Sequence, residues 1–175
     1  MTIKIAKDLR ITVVQGDIIQ QFDCDGMVNS ANEYLIAGSG VCGAIHKAAG
    51  RELETYGKTL APLGLGEAIA TPGFGITHCR TIIHTRAPRY WQDNNPAENL
   101  ARAMHNSLCL ADQNGIQRLA VPAIAMGIYR YPAEDAVPIL VNTVRRLEGD
   151  LFCLEEVRFV VLEQDLLSHF QRAVA

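Results

Sequence analysis

Four residues stand out for the chemistry that they can perform: Asn29, Asn32, Cys42 and His46. The two asparagines supply amide donors and acceptors that can read sugar hydroxyl groups. The thiol and the imidazole are four residues apart, which places them on one face of a helix. The same stretch contains three glycines, Gly38, Gly40 and Gly43. A glycine loop that leads into a helix presents free backbone N–H groups and the positive end of the helix dipole, so the sequence predicts a nucleotide-type pocket for a phosphate-bearing ligand.

Two strand–loop–helix units must position these groups. Gly26–Val28 is a short apolar run typical of a buried strand, and Val41–Ala49 is predicted to be a helix that Gly50 ends. A second glycine loop, Ala125–Tyr129, follows the predicted strand Leu119–Val121. Because ligands of open α/β sheets bind beyond the carboxyl ends of the strands, we expect the two loops to face each other and to hold a diphosphate through backbone N–H groups.

The rest of the chain alternates between predicted strands and helices. The other strands are expected within residues 3–14 (one or two strands) and over Glu67–Thr71, Thr81–Thr85 and Val157–Leu162. The other helices are expected over Ile18–Gln21, Arg51–Tyr56, Ala97–Asn114, Ala133–Leu147 and Asp165–Ala173. Gly57 is expected to break its helix, Pro138 to interrupt or tighten its own, and Asp165 to cap the last one. This alternation indicates a three-layer α/β domain.

Composition limits the class of protein. A chain of 175 residues, 49% hydrophobic and 20% charged, is sufficient for one globular domain, which we expect to span residues 1–175. The net charge is −3 and there is no basic stripe with interleaved aromatic residues, so nucleic acid is not an expected partner. The sequence has no signal-like segment at Met1 and no apolar run of membrane-spanning length, so no membrane partner and a cytoplasmic location are expected.

The histidines and cysteines give little reason to expect a metal. The five cysteines are scattered without a C-x-x-C pair, which predicts neither a disulfide framework nor a zinc site. Cys42 and His46 have the spacing of two metal ligands, but no third donor is close in sequence. His84 lies among apolar neighbours and is predicted to be a hydrogen-bonded core histidine. We therefore expect neither a metal nor a cofactor.

The run Gly38–Gly43 also fits G-x-G-x-x-G, the fingerprint of dinucleotide-dependent dehydrogenases. That fingerprint follows its strand directly and has an acidic residue at the end of the next strand. Here eight residues separate the run from the strand that ends near Asn29, and the candidate acids Glu52 and Glu54 lie in a predicted helix. The dehydrogenase interpretation is rejected on these grounds.

Several separated motifs occur in order along nearly the whole chain: Val14–Ile18, Val28–Asn32, Gly40–His46, Gly66–Ala68, Ile83–Thr85 with Pro88, and Pro122–Pro132. In these motifs the sequence resembles the macro domains, a family that binds ADP-ribose. The resemblance implies a three-layer α/β/α sandwich with a mixed, mostly parallel central sheet. It also implies that ADP-ribose, ADP-ribosylated proteins or O-acetyl-ADP-ribose are the partners.

The resemblance assigns ligand contacts to particular residues. Asp17 would contact the adenine amine, the amide of Ile18 would read the ring, and Tyr129 would pack against the proximal ribose. From the residues alone, Asp17 is equally interpreted as a helix cap and Tyr129 as a packing aromatic. Arg130 replaces a glycine common in the family, and it either reaches a phosphate or the modified protein or points to solvent. The expected ligand-binding residues are Asp17, Ile18, Ala31, Asn32, Gly40, Val41, Ala125, Met126, Gly127, Ile128 and Tyr129.

The resemblance also gives the candidate catalytic residues, which are Asn32, Cys42 and His46. Cys42 replaces an aspartate that is usual in the subgroup that removes ADP-ribose from proteins or deacetylates O-acetyl-ADP-ribose. A neutral thiol is a weak acceptor and a poor base. The helix N-terminus would lower the pKa of this thiol, whereas a bound diphosphate would raise it. Packing under the glycine loop is the favoured role of Cys42, and a nucleophilic pair with His46 is the less favoured one.

Two function hypotheses follow. The first is a hydrolase of mono-ADP-ribosylated protein or O-acetyl-ADP-ribose, weak or altered in mechanism because Cys42 replaces the aspartate. The alternative is a non-catalytic reader that binds ADP-ribose without cleaving it. Asn32 and His46 favour the enzyme, and Cys42 favours the reader.

Overall fold

The structure, a computed structural model, describes residues 8–175, which form a mixed six-stranded sheet with α-helices on both faces. The strands are β1 (Arg10–Gln15), β2 (Gly26–Ser30), β3 (Ala68–Pro72), β4 (Thr81–Thr85), β5 (Arg118–Val121) and β6 (Glu156–Val161). The helices are α1 (Gly40–Ala49), α2 (Arg51–Lys58), α3 (Pro96–Gln113), α4 (Ala133–Leu147) and α5 (Gln164–Val174). A 3-10 helix, Ile18–Gln20, follows β1.

The strand order determines which loops meet. The order across the sheet is β1-β6-β5-β2-β4-β3. Every neighbouring pair is parallel except β3 and β4, which are antiparallel. The carboxyl ends of β1, β6, β5, β2 and β4 therefore lie along one edge, and the loops that follow these strands are brought together there.

Each face of the sheet buries its own apolar core. On one face, Leu100 and Met104 of α3 and Phe170 of α5 pack in one cluster with Phe159 of β6. On the other face, a second cluster joins buried residues of α1 and α2 to residues of four strands: Ile45, Ala49, Leu53, Met27, Ile82, Ala120 and Val160. Two cores on opposite faces of one sheet make three layers. The predicted α/β/α sandwich with a mixed, mostly parallel sheet is confirmed.

Two helix boundaries differ from the prediction. Gly57 does not break α2 but lies inside it and is buried. A side chain there would press on the backbone carbonyl of Leu35, 3.0 Å from an added Cβ, so this glycine serves a close approach rather than a helix end. Asp165 does not cap α5, because the helix begins at Gln164 and the preceding residue, Glu163, occupies the cap position. Asp165 still lies in the first turn, where a negative charge favours the helix dipole.

The other predicted elements agree with the structure within a residue or two. Pro138 lies within α4 without ending it, so the helix continues despite the one hydrogen bond that proline cannot donate. Of the one or two strands predicted within residues 3–14, the structure gives β1, and residues 3–7 lie outside its described part. No helix between residues 8 and 175 combines the length and the apolar character needed to cross a membrane.

Candidate functional site

A cavity of about 360 Å³ lies at the carboxyl edge of the sheet, beyond the ends of β1, β6, β5 and β2. This volume is within the range of small-molecule sites. The cavity is lined by Gly16, Asp17, Ile18, Ser30, Asn32, Gly38, Ser39, Gly40, Val41, Cys42, Ala44, Pro122, Ala123, Ala125, Met126, Gly127, Ile128, Tyr129, Val160, Val161, Leu162, Glu163 and Leu166. The two predicted glycine loops therefore do form opposite walls of one pocket.

The first wall is the glycine loop that begins α1. Gly40 has a φ of 59°, a left-handed conformation that favours glycine. Gly43 lies so close to the loop that an added Cβ would collide with the carbonyl oxygen of Gly38. The N-cap residue, Ser39, makes no side-chain hydrogen bond to the helix. Because Ser39 does not cap this end, and no side chain of residues 8–175 accepts a hydrogen bond from the first amides of α1, these amides are available to a ligand at the positive end of the helix dipole.

The second wall is the loop between β5 and α4. It folds back on itself through hydrogen bonds from the Met126 amide to the Ala123 carbonyl at 3.2 Å and from the Tyr131 amide to the Ala125 carbonyl at 2.9 Å. An added Cβ at Gly127 would meet no atom within 4 Å, so this backbone is open to the cavity. Within the described chain, the amides of residues 127–129 donate no hydrogen bond to the protein. They form a second set of donors that a ligand can use.

Ala125 and Arg130 both hold left-handed backbone conformations, with φ of 68° and 57°. Such angles are costly for residues with a Cβ and are characteristic of ligand-binding loops. The value at Arg130 gives a physical reason why glycine suits this position.

The charges in the cavity are unevenly placed. Among residues 8–175, its charged lining residues are Asp17 and Glu163, both at the end formed by β1 and β6, and none is a lysine or an arginine. A phosphate would therefore be held by backbone amides and the α1 dipole, away from these two carboxylates. The β1–β6 end also has apolar walls from Ile18, Leu162 and Leu166, which suit a flat, uncharged ring.

Asp17 caps the 3-10 helix, as predicted, because its Oδ1 accepts a hydrogen bond from the Ile19 amide at 2.9 Å. The residue is exposed at the cavity rim. Within the described chain, Oδ2 of this carboxylate accepts no hydrogen bond, which leaves it available to a ligand amine. Capping and ligand contact are thus compatible at Asp17.

Asn32 is fixed by its own loop. Its Nδ2 donates to the Ile36 carbonyl at 2.7 Å, and its Oδ1 accepts from the Ile36 amide at 3.1 Å. A side-chain amide has two N–H groups and two acceptor lone pairs, so one of each remains for a ligand. Asn32 is therefore a pre-oriented polar group on the cavity wall.

Cys42 lies in the cavity floor with only 6% of its surface exposed. Its thiol accepts from Asn29 Nδ2 at 3.8 Å and donates to the Ile36 carbonyl at 3.6 Å. Burial raises the pKa of this thiol, while hydrogen bonds from Asn29 and the Gly38 backbone oppose the rise. The helix N-terminus was expected to lower the pKa of this thiol, but burial outweighs that effect and the pKa is raised. The thiol is therefore neutral near pH 7.

His84 is confirmed as a hydrogen-bonded core histidine. Its Nδ1 accepts from Asn29 Nδ2 at 3.0 Å, and its Nε2 lies 2.9 Å from the Thr71 hydroxyl, which donates to the Pro72 carbonyl. This pattern assigns the neutral tautomer with the proton on Nε2. Burial lowers the pKa of His84 to about 3. Asn29 thus bridges the core histidine and the thiol of Cys42.

Three expected site residues do not line the cavity: Asn29, Ala31 and His46. Asn29 is fully buried and therefore does not read a sugar hydroxyl group, as was expected of it. Ala31 is buried in a small apolar cluster with Leu35 and Leu63. His46 is buried on α1, and burial lowers its pKa. Its Nε2 has no hydrogen-bond partner within the described residues. None of these three side chains lies at the surface that a ligand would touch.

Sequence reasoning missed the lining residues at the β1–β6 end and several at the loop starts. These are Gly16, Ser30, Ser39, Ala44, Pro122, Ala123, Val160, Val161, Leu162, Glu163 and Leu166. The last strand was predicted, but nothing in its sequence places it between β1 and β5. Only the strand order shows that the carboxyl end of this strand reaches the pocket.

The part of the chain that the structure describes has no group of three or more His, Cys, Asp and Glu side chains arranged to hold a metal ion. In particular, the Cys42–His46 pair gains no third ligand from the fold.

Comparisons with known proteins agree with this geometry. The sequence profile of the Macro domain matches residues 28–140. A protein of Salmonella newport named O-acetyl-ADP-ribose deacetylase is 37% identical over 169 residues, covering 93% of each chain. A macro domain-containing protein of Mesorhizobium japonicum is 41% identical over 168 residues, covering 95% of this chain and 94% of the relative.

Solved structures give the same result. The Oceanobacillus iheyensis macrodomain with ADP superimposes with a TM-score of 0.90 at 31% identity, covering 97% of this chain and 92% of the other. The Trypanosoma brucei macrodomain in complex with ADP-ribose superimposes with a TM-score of 0.86 at 26% identity, covering 94% and 69%. Since a family profile covers most of the chain and full-length relatives exceed a third identity, the protein belongs to the macro domain family.

Proposed function

We propose that this protein binds ADP-ribose in the cavity at the carboxyl edge of the sheet. The adenine ring occupies the β1–β6 end beside Asp17 and Ile18. The diphosphate lies between the first turn of α1 and the Gly127 loop, and the proximal ribose lies near Asn32 and Tyr129. The solved relatives with ADP and with ADP-ribose support this choice of ligand.

One observation carries the proposal: two sets of backbone amides without a partner among the described residues border one cavity, and none of the described residues that line it is cationic. Amides at two opposite walls suit a diphosphate, which presents oxygens on both sides. The carboxylates at one end of the cavity disfavour a further phosphate there and favour a group with N–H donors, such as the adenine amine. Asn32 offers a donor and an acceptor to sugar hydroxyl groups at the other end.

We further propose that the protein hydrolyses mono-ADP-ribosylated protein or O-acetyl-ADP-ribose, slowly or by an altered mechanism. The relatives named O-acetyl-ADP-ribose deacetylase support this class of reaction. On a protein substrate, a water oxygen bonds to the anomeric carbon of the ribose while the bond from that carbon to the protein side chain breaks. The water proton passes to a diphosphate oxygen of the substrate, and a proton returns to the leaving side chain.

In this reaction the protein acts mainly by positioning. Asn32 is fixed by Ile36 and keeps one donor and one acceptor to orient the ribose or the water. Cys42 has a raised pKa and cannot serve as an efficient base near pH 7. Without a protein base, the rate is expected to lack much of the roughly 10²–10⁴-fold that general base catalysis contributes.

A reader function is the second candidate, and Cys42 is the observation that favours it. A neutral, buried thiol in place of an acid leaves binding intact while removing a base. His46 does not compensate, because it lies outside the cavity lining. The reader and the slow enzyme share the same ligand pose and differ only in turnover.

The experiment has two parts. Titration calorimetry with ADP-ribose is expected to give micromolar affinity, about −8 kcal/mol, with far weaker binding of AMP. Incubation with mono-ADP-ribosylated protein and with O-acetyl-ADP-ribose, followed by measurement of released ADP-ribose, then separates enzyme from reader. No binding heat at high micromolar protein would refute the shared site. Binding without release above a Gly127→Glu control would leave the reader function.

A further inference from the structure

The turn that follows β4 presents an exposed tryptophan, next in sequence to a residue that is hydrogen-bonded to the cavity wall. Trp91 has 79% of its surface exposed. The turn around it is rigidly braced, because Arg89 binds the Asp93 carboxylate through Nε at 3.1 Å and Nη2 at 2.9 Å. The backbone amide of Arg89 adds a third hydrogen bond to the same carboxylate at 2.7 Å. The backbone that carries this exposed ring is thus held in place before anything binds to it.

The same turn is joined to the cavity wall. The Tyr90 amide donates to the Tyr129 carbonyl at 3.0 Å, and Tyr129 lines the cavity. The Tyr90 ring packs edge-on against Trp91, with centroids 4.9 Å apart, and packs at a tilt against Tyr131, with centroids 4.8 Å apart. Trp91 is therefore the outermost ring of an aromatic row that begins at the base of the ligand-binding loop.

Strand order places this turn at one particular end of the cavity. The turn follows β4, and β4 lies beyond β2, on the side away from β1 and β6. The β2 end of the cavity carries Asn32 and Tyr129, where the proposed function puts the proximal ribose. In that pose, a group attached to the anomeric carbon of the ribose would leave the cavity on the side of the turn that carries Trp91.

Resting on that function, we propose that Trp91 contacts the polypeptide that bears the ADP-ribose and selects protein-linked substrates. An acetyl group on the ribose is only two carbons long and stays within the cavity end, whereas a modified side chain leads out to a backbone. Tryptophan suits such a contact because it offers a large rigid face and is enriched among the residues that dominate interfaces. The neighbouring Arg89–Asp93 pair is internally neutralised, so the contact selects polypeptide without a strong charge preference.

The chain provides its own reporter, because Trp91 is its one tryptophan. The protein is titrated with free ADP-ribose and with a peptide that carries ADP-ribose through a non-hydrolysable linkage, while tryptophan emission and affinity are measured. The modified peptide is expected to blue-shift or quench the emission and to bind about tenfold more tightly than ADP-ribose. Trp91→Ala should remove that tenfold difference and leave ADP-ribose affinity within twofold.

Phe22→Ala is the matched control. Phe22 is 72% exposed and packs edge-on against His78, four residues before β2 begins and thus near the opposite edge of the sheet. This variant should keep both the emission change and the tighter peptide binding. If ADP-ribose binds but the peptide binds no tighter, or if Trp91→Ala weakens both ligands equally, the role of Trp91 is overturned. If ADP-ribose itself does not bind, the proposed function is refuted instead.

Discussion

Asn32 and Cys42 donate hydrogen bonds to the same backbone oxygen, the carbonyl of Ile36. The amide nitrogen lies 2.7 Å from that oxygen and the sulfur 3.6 Å. An added Cβ at Gly38 would lie 3.6 Å from the Asn32 nitrogen and 3.7 Å from the sulfur, so both side chains also meet at this glycine. The loop between β2 and α1 is thus held by one strong and one weak bond at a single point.

The unequal strength of these two bonds gives an expectation for Cys42→Ala. Asn32 makes the short bonds to Ile36 and is expected to hold the loop alone, so the variant should keep its fold and its ADP-ribose affinity within about threefold. Any slow hydrolysis should likewise persist, because a neutral buried thiol contributes packing rather than proton transfer. Calorimetry and an ADP-ribose release assay test this. A variant that binds normally but has lost all hydrolysis would make Cys42 catalytic.

Cys42→Asp is expected to have the opposite effect on turnover. A carboxylate cannot donate to the Ile36 carbonyl, so it must turn away from it or bind a water between them. An acceptor and base beside Asn32 is what the native site lacks, and hydrolysis of mono-ADP-ribosylated protein should rise by up to about 10²–10⁴-fold. Cys42→Asn, which is similar in size but cannot act as a base, is the control. Equal rates for the two variants would contradict a base role at this position.

Gly127→Glu is expected to abolish ADP-ribose binding without unfolding the domain. The position is open and its φ is not in the left-handed region, so the side chain is accommodated while its carboxylate occupies the proposed anion site. Gly149→Glu is a matched control, since an added Cβ there also meets nothing within 4 Å and the residue follows α4, remote from the cavity lining. Calorimetry should show more than a hundredfold loss for the first variant only, with both melting temperatures near that of the native protein. Retained binding by Gly127→Glu would place the ligand elsewhere.

Buried His84 predicts how stability depends on pH. Burial lowers its pKa from the ordinary 6.5 to about 3, so the folded protein keeps it neutral while the unfolded chain takes up a proton below about pH 6.5. The free energy of unfolding should therefore be unaffected by His84 above pH 6.5. It should fall by about 1.4 kcal/mol per unit as the pH drops from 6.5 towards 3.

His84→Gln isolates this contribution in urea denaturation between pH 7.5 and 5. The variant is expected to be less stable at neutral pH but to lose stability less steeply below pH 6.5. His46, whose pKa burial also lowers, titrates in both proteins, so the difference between the two pH profiles reports His84 together with its charge coupling to His46. Parallel pH profiles would contradict this prediction, because they would show that the pKa of His84 is not lowered in the folded protein.

The sequence was sufficient to predict the fold and the two loops, but not which side chains face the cavity. Glycine spacing and an apolar strand determine locally that α1 begins at a phosphate-type loop, and the structure has that loop. Whether His46 faces the ligand depends on how α1 rotates against the sheet, which is set by packing of Ile45 and Ala49 in the second core. The pocket end at Leu162 and Leu166 depends on β6 inserting between β1 and β5, a long-range pairing without a local signal.

Asp17 has two expected roles, helix capping and ligand recognition, and both use the same carboxylate. Two variants separate these roles. Asp17→Ala removes the hydrogen bond to the Ile19 amide and the free Oδ2, so it should lower the free energy of unfolding by about 1 kcal/mol and weaken ADP-ribose binding by about 1.5–3 kcal/mol. Asp17→Ser keeps a capping oxygen, but the serine side chain is too short to reach the adenine amine and carries no charge. This variant should therefore weaken binding as much as Asp17→Ala does while retaining most of the stability. Urea denaturation and calorimetry on both variants give the two quantities independently. Native affinity in Asp17→Ser would reduce Asp17 to a helix cap, and the adenine ring would then have to be recognised by the backbone and the apolar walls at this end of the cavity.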